Sequence, residues 1–473
     1  MEWWRRDRRP PLPSVGGDPA SVYVAYRFGM AFLLTTAHTV AALYRIQQAG
    51  LGPLELALVG TVLEITVTLC EVPTGVVADL YGRRASVLLG LATIGAGLLV
   101  EGAVPALPAI MLGQVLWGLG YTFTSGADAA WIADEVGEER ARYLYVRGAQ
   151  AAQAATLLGI GASVARGSLR LNLPLRVAGA GMWVLALVLA LVMFERGYRP
   201  RWRPGDSLWQ GVGGTWRHGW RAVQGRPGLR LLLAIGIFYG LASEGFDRLW
   251  QLHLLTRFPQ LGGAAGGAAG PAGTGAVVWI GLLTAGAMLL SMAAAEVVRR
   301  RGVGDPARVG RMLLAISMLL VPSVAGFGLA GSLAAATGFY WLTALLRETY
   351  DPLQVAWVNQ GLDPRARATV LSMVEQFHSF GEIIGGPVLG GIAAAIAVEA
   401  GLVASAAFLL PVVGMYAVLV RRMAGAGARP GAAAAPAAPP DGTTAAAGGA
   451  GEKATVPPGA ADWSGGGPAV GCP

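Results

Sequence analysis

Gly75-Val76-Val77-Ala78-Asp79-Leu80-Tyr81-Gly82-Arg83-Arg84 closes an apolar run that begins near residue 53. Within this decapeptide the chain passes from apolar residues to an acid, a glycine and two arginines. Each defining position has a physical use. Gly75 has no side chain, so a second helix can come close. Gly82 supplies a residue able to make a tight turn. Asp79 puts a negative charge at the end of an apolar segment, where it needs a partner. Arg83 and Arg84 form a positive block of the kind that holds a short loop on the cytoplasmic side of a membrane.

The rest of the chain repeats this alternation of apolar run and short charged block. Of 473 residues, 54% are hydrophobic and 14% charged, with a mean hydropathy of +0.52. A soluble domain carries about 25% charged residues, so this chain could not cover a water-facing surface. A spanning helix needs about 20 mostly apolar residues. Apolar segments fall near 20–47, 53–79, 85–104, 106–133, 140–166, 173–195, 228–257, 275–298, 308–329, 331–360, 367–396 and 398–420. We number them as predicted spans 1 to 12. The expectation is an all-α polytopic membrane protein with twelve spans. The 70 glycines suit close helix packing in lipid, because small residues let backbones approach.

The formal net charge of +8 is carried almost entirely by arginine, Lys453 being the only lysine. The arginines sit in blocks between apolar runs, which points to topology rather than to nucleic acid. The N-terminal tail, the pair Arg83–Arg84, the stretch 197–230, the segment 299–311 and the pair Arg365, Arg367 fall on one side when the number of spans is even. That side is read as cytoplasmic, with both termini on it. Arg166, Arg170 and Arg176 depart from the pattern. The expected organisation is a cytoplasmic tail 1–19, a six-helix bundle 20–196, an amphipathic linker 197–227 containing Trp202, Trp209, Trp216 and Trp220, a second bundle 228–422, and a disordered Ala/Gly/Pro-rich tail 423–473. The first apolar run is long for a signal sequence and is read as uncleaved.

The opening decapeptide resembles the signature of the major facilitator superfamily, G-x-x-x-D-x-x-G-R-[KR], and all its defining positions are present. The resemblance implies two pseudo-symmetric six-helix halves that rock about a central site. It also implies that Asp79 and Arg83 act as a latch on the start of span 11, with Gly75, Gly82 and Arg84 completing the signature. A bland alternative is that Arg83 and Arg84 only set topology. A degenerate copy follows span 8, Met292-Ala293-Ala294-Ala295-Glu296-Val297-Val298-Arg299-Arg300-Arg301, with Glu296 in the place of Asp79. Span 11 contains Gly381-Glu382-Ile383-Ile384-Gly385-Gly386-Pro387-Val388-Leu389-Gly390-Gly391. This looks like a motif that drug/proton antiporters carry in span 5, here displaced to the symmetry-related helix. Gly385, Gly386 and Pro387 are expected to give that helix a pivot.

An ionisable group at bilayer depth costs at least about 2.5–3.5 kcal/mol, so it normally faces a partner or a water-filled path. The candidates for proton or substrate coupling are Glu64 and Glu71 in span 2, Asp128 in span 4, Glu244 and Asp247 in span 7, Arg347 and Asp351 in span 10, and Glu375, His378 and Glu382 in span 11. By resemblance these spans line or flank the central cavity, while spans 3, 6, 9 and 12 are nearly free of charge in their middles. Glu375 with His378 suggests a proton relay; Glu244/Arg248, Arg347/Asp351 and Glu375/His378 read equally as static pairs. Asp128 and Glu64 have no evident local partner. Trp117, Tyr121, Trp250, Tyr340, Trp341 and Trp357 either stack on a substrate or pack.

No nucleotide-binding loop, H-E-x-x-H or G-x-S-x-G motif is present. The four histidines and two cysteines form no metal or disulfide pattern. The expected function is therefore a secondary transporter in the cytoplasmic membrane, a monomer with no cofactor. Its partners are a small-molecule substrate, protons and lipid. Efflux by antiport is preferred, uptake by symport is the alternative, and a membrane enzyme or sensor on the same fold is the reading of another class.

Overall fold

The computed structural model describes residues 17–198, 227–262, 274–301, 305–359 and 364–427. The linker tryptophans, the N-terminal arginines, the tail beyond residue 427, and the side chains of Arg299, Arg300, Arg301, Arg365 and Arg367 lie outside what is described. Among the described residues there are fifteen α-helices and no strand. They are α1 Pro19–His38, α2 Ala41–Gln47, α3 Pro53–Tyr81, α4 Arg83–Ala103, α5 Leu107–Thr124, α6 Ala127–Val136, α7 Glu138–Gly167 and α8 Leu173–Val192 in the first half. The second half holds α9 Pro227–Arg257, α10 Thr274–Arg301, α11 Pro306–Gly328, α12 Leu333–Asn359, α13 Pro364–Ala395, α14 Val398–Phe408 and α15 Leu410–Gly427. A short 3-10 turn, Pro259–Gly262, follows α9.

These helices form the twelve expected rods, but three rods are broken in two, which the apolar pattern did not reveal. Rod 1 is α1 plus α2. Before its break Thr36 and Thr39 donate their hydroxyls to the carbonyls of Phe32 and Thr35, a back-bonding that bends helices. Rod 4 is α5 plus α6, parted at Gly126, whose φ of 74° is costly for any residue with a Cβ. Rod 12 is α14 plus α15, and Pro411 explains the break. It has no N–H to donate, and its ring crowds the carbonyl one turn earlier. α15 also runs to Gly427, beyond the expected end of the helical region at 422.

Helix starts follow local chemistry. Asp18 accepts the N–H of Ser21 at 3.1 Å and precedes Pro19. Glu55 accepts the N–H of Gly52 at 2.8 Å and Pro53 opens α3. Proline is preorganised for a first helical turn.

Among the described residues, seven stretches are long and apolar enough to cross a membrane by length and composition: α3, α4, α8, residues 228–257, residues 274–296, α11 and residues 398–423. α12 and α13 fall short of that measure, and they carry Arg347, Glu348, Asp351, Glu375, His378 and Glu382. Large apolar side chains point outward where a soluble protein would present polar ones. On α8, Leu187 is 63% and Leu191 66% exposed. Such a belt is stable only against lipid.

The halves meet along few helices. α13 packs on α3, α9 on α3, and α7 on α10. The contacts gather at the ends remote from the Asp79 signature. A Cβ added to Gly390 would stand 3.2 Å from the Cα of Leu54, and one added to Gly386 would stand 3.0 Å from the Ala57 carbonyl. Nearby, Val40, Leu43, Ala276, Val277 and Ile280 form a small apolar cluster joining rods 1 and 8. At the signature end the matching stretches are open: Leu69 is 68%, Tyr143 57% and Val146 58% exposed. Among the described residues, the close contacts between the halves thus sit at the end remote from the signature.

Candidate functional site

Between these ends lies a seam of charge built from α3, α9, α12 and α13. The helices come close because glycines interlock. On α9, a Cβ at Gly236 would stand 3.2 Å from the Val374 carbonyl of α13. Reciprocally, one at Gly385 would stand 2.6 Å from the Leu241 carbonyl of α9, and Gly240 and Gly381 sit in the same way on His378 and Ile237 backbone. Helices this close can form Cα–H···O contacts, each about 0.5–1 kcal/mol. The expected pivot residues therefore do something more specific. Gly385 seats α13 on α9, Gly386 seats it on α3, and Pro387 lies on an exposed face of a continuous helix.

The close packing brings ionisable groups together. Glu244 and Arg248, one turn apart on α9, pair at 2.8 Å and are both buried. A Cβ added to Gly60 of α3 would collide with the Glu244 carboxylate and the Arg248 guanidinium, so this pair lies directly on the backbone of the other half. One turn along α3, Glu64 is 6% exposed and lies within electrostatic reach of Glu244, Arg248, His378 and Glu382. Asp247 takes both arms of the Arg347 guanidinium at 2.5 and 2.6 Å, and Arg347 also stands over the Phe246 ring. His378 contacts Glu382 at 3.3 Å. Tyr239 stacks on Tyr350 with ring centroids 4.2 Å apart, and its hydroxyl is buried without a hydrogen-bond partner among the described residues.

Several expected pairings are replaced. Arg347 holds Asp247 across helices rather than Asp351 within its own. His378 pairs with Glu382, one turn away, rather than with Glu375. Asp128 is not without a partner: Arg27 of α1 reaches it at 3.1 Å, and Tyr145 fixes the local backbone by donating to the Ala129 carbonyl at 3.0 Å. Glu71 and Glu375 are both exposed and within electrostatic reach of one another, one from each half, at the open end. Asp351 lies near His378 and Arg347. Trp341 and Trp357 donate to the carbonyls of Leu283 and Pro306, and Trp117 stacks on Tyr121, so these aromatics are engaged in packing.

One buried cluster escaped the sequence reading. Arg45 of α2 meets Glu101 of α4 at 2.8 Å; Gln114 donates to the same carboxylate at 2.8 Å, and Tyr44 to the Glu101 carbonyl at 2.6 Å. Glu101 is 1% exposed, so rod 3 is not free of charge along its length. The only signal was an acid within an apolar run.

In the signature, Asp79 and Arg83 pair at 2.5 Å. Gly82, at φ 104°, makes the sharp turn between α3 and α4. Glu195 caps α4 by accepting the N–H groups of Arg83 and Arg84 at 2.5 and 3.3 Å. Arg84 donates to the Ala190 carbonyl and Tyr198 to the Asp79 carbonyl. Among the described residues Gly75 meets no neighbour within 4 Å.

No protein-family model matches this chain. It is 22% identical over 370 residues to an uncharacterised MFS-type transporter, YxaM, of Bacillus subtilis (strain 168), covering 77% of this chain and 87% of that protein. Among solved structures, a bacterial homologue of the human lysosomal transporter Spinster, inward-facing and unoccupied, superposes with a TM-score of 0.68 at 16% identity, over 86% of this chain and 99% of that one. The nucleoside transporter NupG gives 0.65 at 13% identity over 88% and 100%. A POT family transporter gives 0.66 at 11% identity over 86% and 96%. These likenesses establish the fold.

Proposed function

We propose, on the premise that this chain is of the major facilitator type, that it is a secondary transporter moving a small molecule across the cytoplasmic membrane by alternating access, with protons as the driving ion. One observation carries the reading: the buried charged side chains Glu64, Glu244 and Arg248 meet where the halves join, and the described contacts between the halves gather at one end of that junction. Static pairs could stand anywhere in the bundle. Groups that take up and release a proton during rocking need to stand at the junction.

With the signature end read as cytoplasmic, the described conformation is inward-facing. The Asp79–Arg83 latch is then disengaged from the other half, as its pairing within its own half supports. Efflux by antiport is the preferred direction, from the resemblance of the α13 glycine motif to that of drug/proton antiporters. Both termini and the linker 197–227 lie on the cytoplasmic side, and the chain acts as a monomer.

The test is reconstitution in liposomes with an imposed proton gradient and a panel of labelled cations, anions and neutral solutes. Flux driven against the proton movement supports antiport; flux along it redirects the reading to symport. Turnover of a membrane-soluble compound without flux, or flux unchanged in Asp79→Asn, overturns it.

A further inference from the structure

The arginines that break the charge pattern of the sequence stand together at the end remote from the signature. Arg166 lies in the last turn of α7, Arg170 in the tight turn that follows, and Arg176 just inside α8. Arg166 donates to the Ala162 carbonyl of its own helix at 3.1 Å, where a cation also complements the helix dipole. Arg170 and Arg176 are exposed, and among the described residues neither pairs with a carboxylate. The acid on the adjoining helix, Glu101, is buried and already held by Arg45 and Gln114.

Arg176 is held in place. Its Nε–H donates to the Gly102 carbonyl of α4 at 2.9 Å, and its stem lies flat on α4 because position 102 is glycine: a Cβ there would stand 3.1 Å from the Arg176 Cγ. The terminal amino groups of the guanidinium make no hydrogen bond among the described residues. Asn172, at the N-cap of α8, caps nothing; it donates to the same Gly102 carbonyl at 3.2 Å. The positive end of α8 is thus left without a side-chain acceptor. Arg176 also heads an apolar stripe: Trp183, Val184, Leu187 and Leu191 follow it along one face of α8 at helical spacing, all exposed. We propose that Arg170, Arg176 and the start of α8 bind the phosphodiester of an anionic phospholipid in the leaflet remote from the signature, with its acyl chains along this stripe. A guanidinium fixed at one nitrogen presents its remaining N–H groups to phosphate oxygens as a planar fork. A free anion would gain the charge contact but not the stripe. The site stands independently of the transport reading.

The test is native mass spectrometry of the full chain, delipidated in detergent and titrated with phosphatidylglycerol or phosphatidylcholine carrying the same acyl chains. The wild type should hold phosphatidylglycerol severalfold more tightly. An arginine near an anionic lipid surface is worth about fivefold in affinity. Arg170→Gln should therefore lose about that much, and Arg176→Gln added to it should bring phosphatidylglycerol toward the phosphatidylcholine level. Arg257→Gln removes another exposed arginine at the same end, in the other half, and should change nothing. The Arg170 side chain has no partner among the described residues, so Arg170→Gln should melt like the wild type in lipid-free detergent. Equal retention of the two lipids by the wild type, undiminished retention in Arg170→Gln, or an equal loss in Arg257→Gln overturns the proposal. Inorganic phosphate is the competing probe: phosphate that displaces phosphatidylglycerol at comparable concentration means that the stripe contributes nothing, and overturns the lipid assignment.

Discussion

Arg347 on α12 grips Asp247 on α9 with both arms of its guanidinium, at 2.5 and 2.6 Å. These helices are the first and fourth rods of the second half. In the first half the corresponding rods are tied by Arg27 on α1 and Asp128 on α6, at 3.1 Å. The two ties are the same device with the charges exchanged: the cation stands on the first rod in one half and on the fourth in the other. Each tie makes its half stiffer, which is what rigid-body rocking of one half against the other requires.

Removing one member of such a pair leaves the other charge without compensation. Breaking a fully buried pair costs about 3–5 kcal/mol. The side chains of Arg347 and Asp247 are 26% and 21% exposed, so Asp247→Asn should cost at the lower end of that range. Thermal unfolding in detergent, followed by tryptophan fluorescence, would measure it. Adding Arg347→Gln to Asp247→Asn should restore part of the loss; a double variant as unstable as the sum of the singles would show that the pair does not couple.

The Arg45–Glu101 pair is buried far more deeply, with side chains 7% and 1% exposed. Glu101→Ala should therefore destabilise by about 3–5 kcal/mol, more than Asp247→Asn. It also frees α2 from α4, so protease cleavage near residues 47–52 should rise in parallel. Equal losses for the two variants would contradict the ordering by burial.

Glu195 caps α4 from more than a hundred residues away in sequence. Loss of a helix cap costs about 0.5–2 kcal/mol, and Glu195→Ala should fall in that range. Tyr198→Phe, which removes one hydrogen bond to the Asp79 carbonyl, should cost about 1 kcal/mol. Chemical shifts or labelling at the α3–α4 turn should change in both variants while the seam is undisturbed.

Glycines at the closed end differ sharply in what surrounds them. A side chain at Gly386 would press on the Ala57 carbonyl and Thr61, whereas one at Gly391 meets nothing. Gly386→Val should prevent the closed end from forming, read as faster modification of a cysteine placed at Thr61. Gly391→Val should leave that rate unchanged. Similar rates for the two variants would mean that the end is not shut by backbone contact.

The fold was legible because lipid leaves the backbone little choice. Each rod must satisfy its own hydrogen bonds, and so must announce itself as an apolar run. The broken rods were less legible for different reasons. Pro411 and the Ser125–Gly126 step were visible cues lying inside apolar stretches; the Thr36 and Thr39 bonds that bend rod 1 involve residues that fit an unbroken helix equally well. The site's helices were legible, but its pairs were not. Helical spacing made Arg347 and Asp351 look like partners, yet Arg347 holds Asp247, 100 residues away. Arg27 and Asp128 are 101 residues apart and Arg45 and Glu101 56 apart. Only the packing of helices through interlocked glycines decides which charges meet, and that information is not local.

The shut end of the molecule is made where Gly386 and Gly390 lie against Ala57 and Leu54, with scarcely a side chain between two bare backbones. Parting these backbone contacts strips no ion of its companions; short-range dispersion is given up there, and the small apolar cluster of Val40, Leu43, Ala276, Val277 and Ile280 beside them is uncovered as well. A gate of this kind has almost no adjustable strength. Its timing must be governed from elsewhere, by whatever electrical bias the neighbouring side chains exert on it.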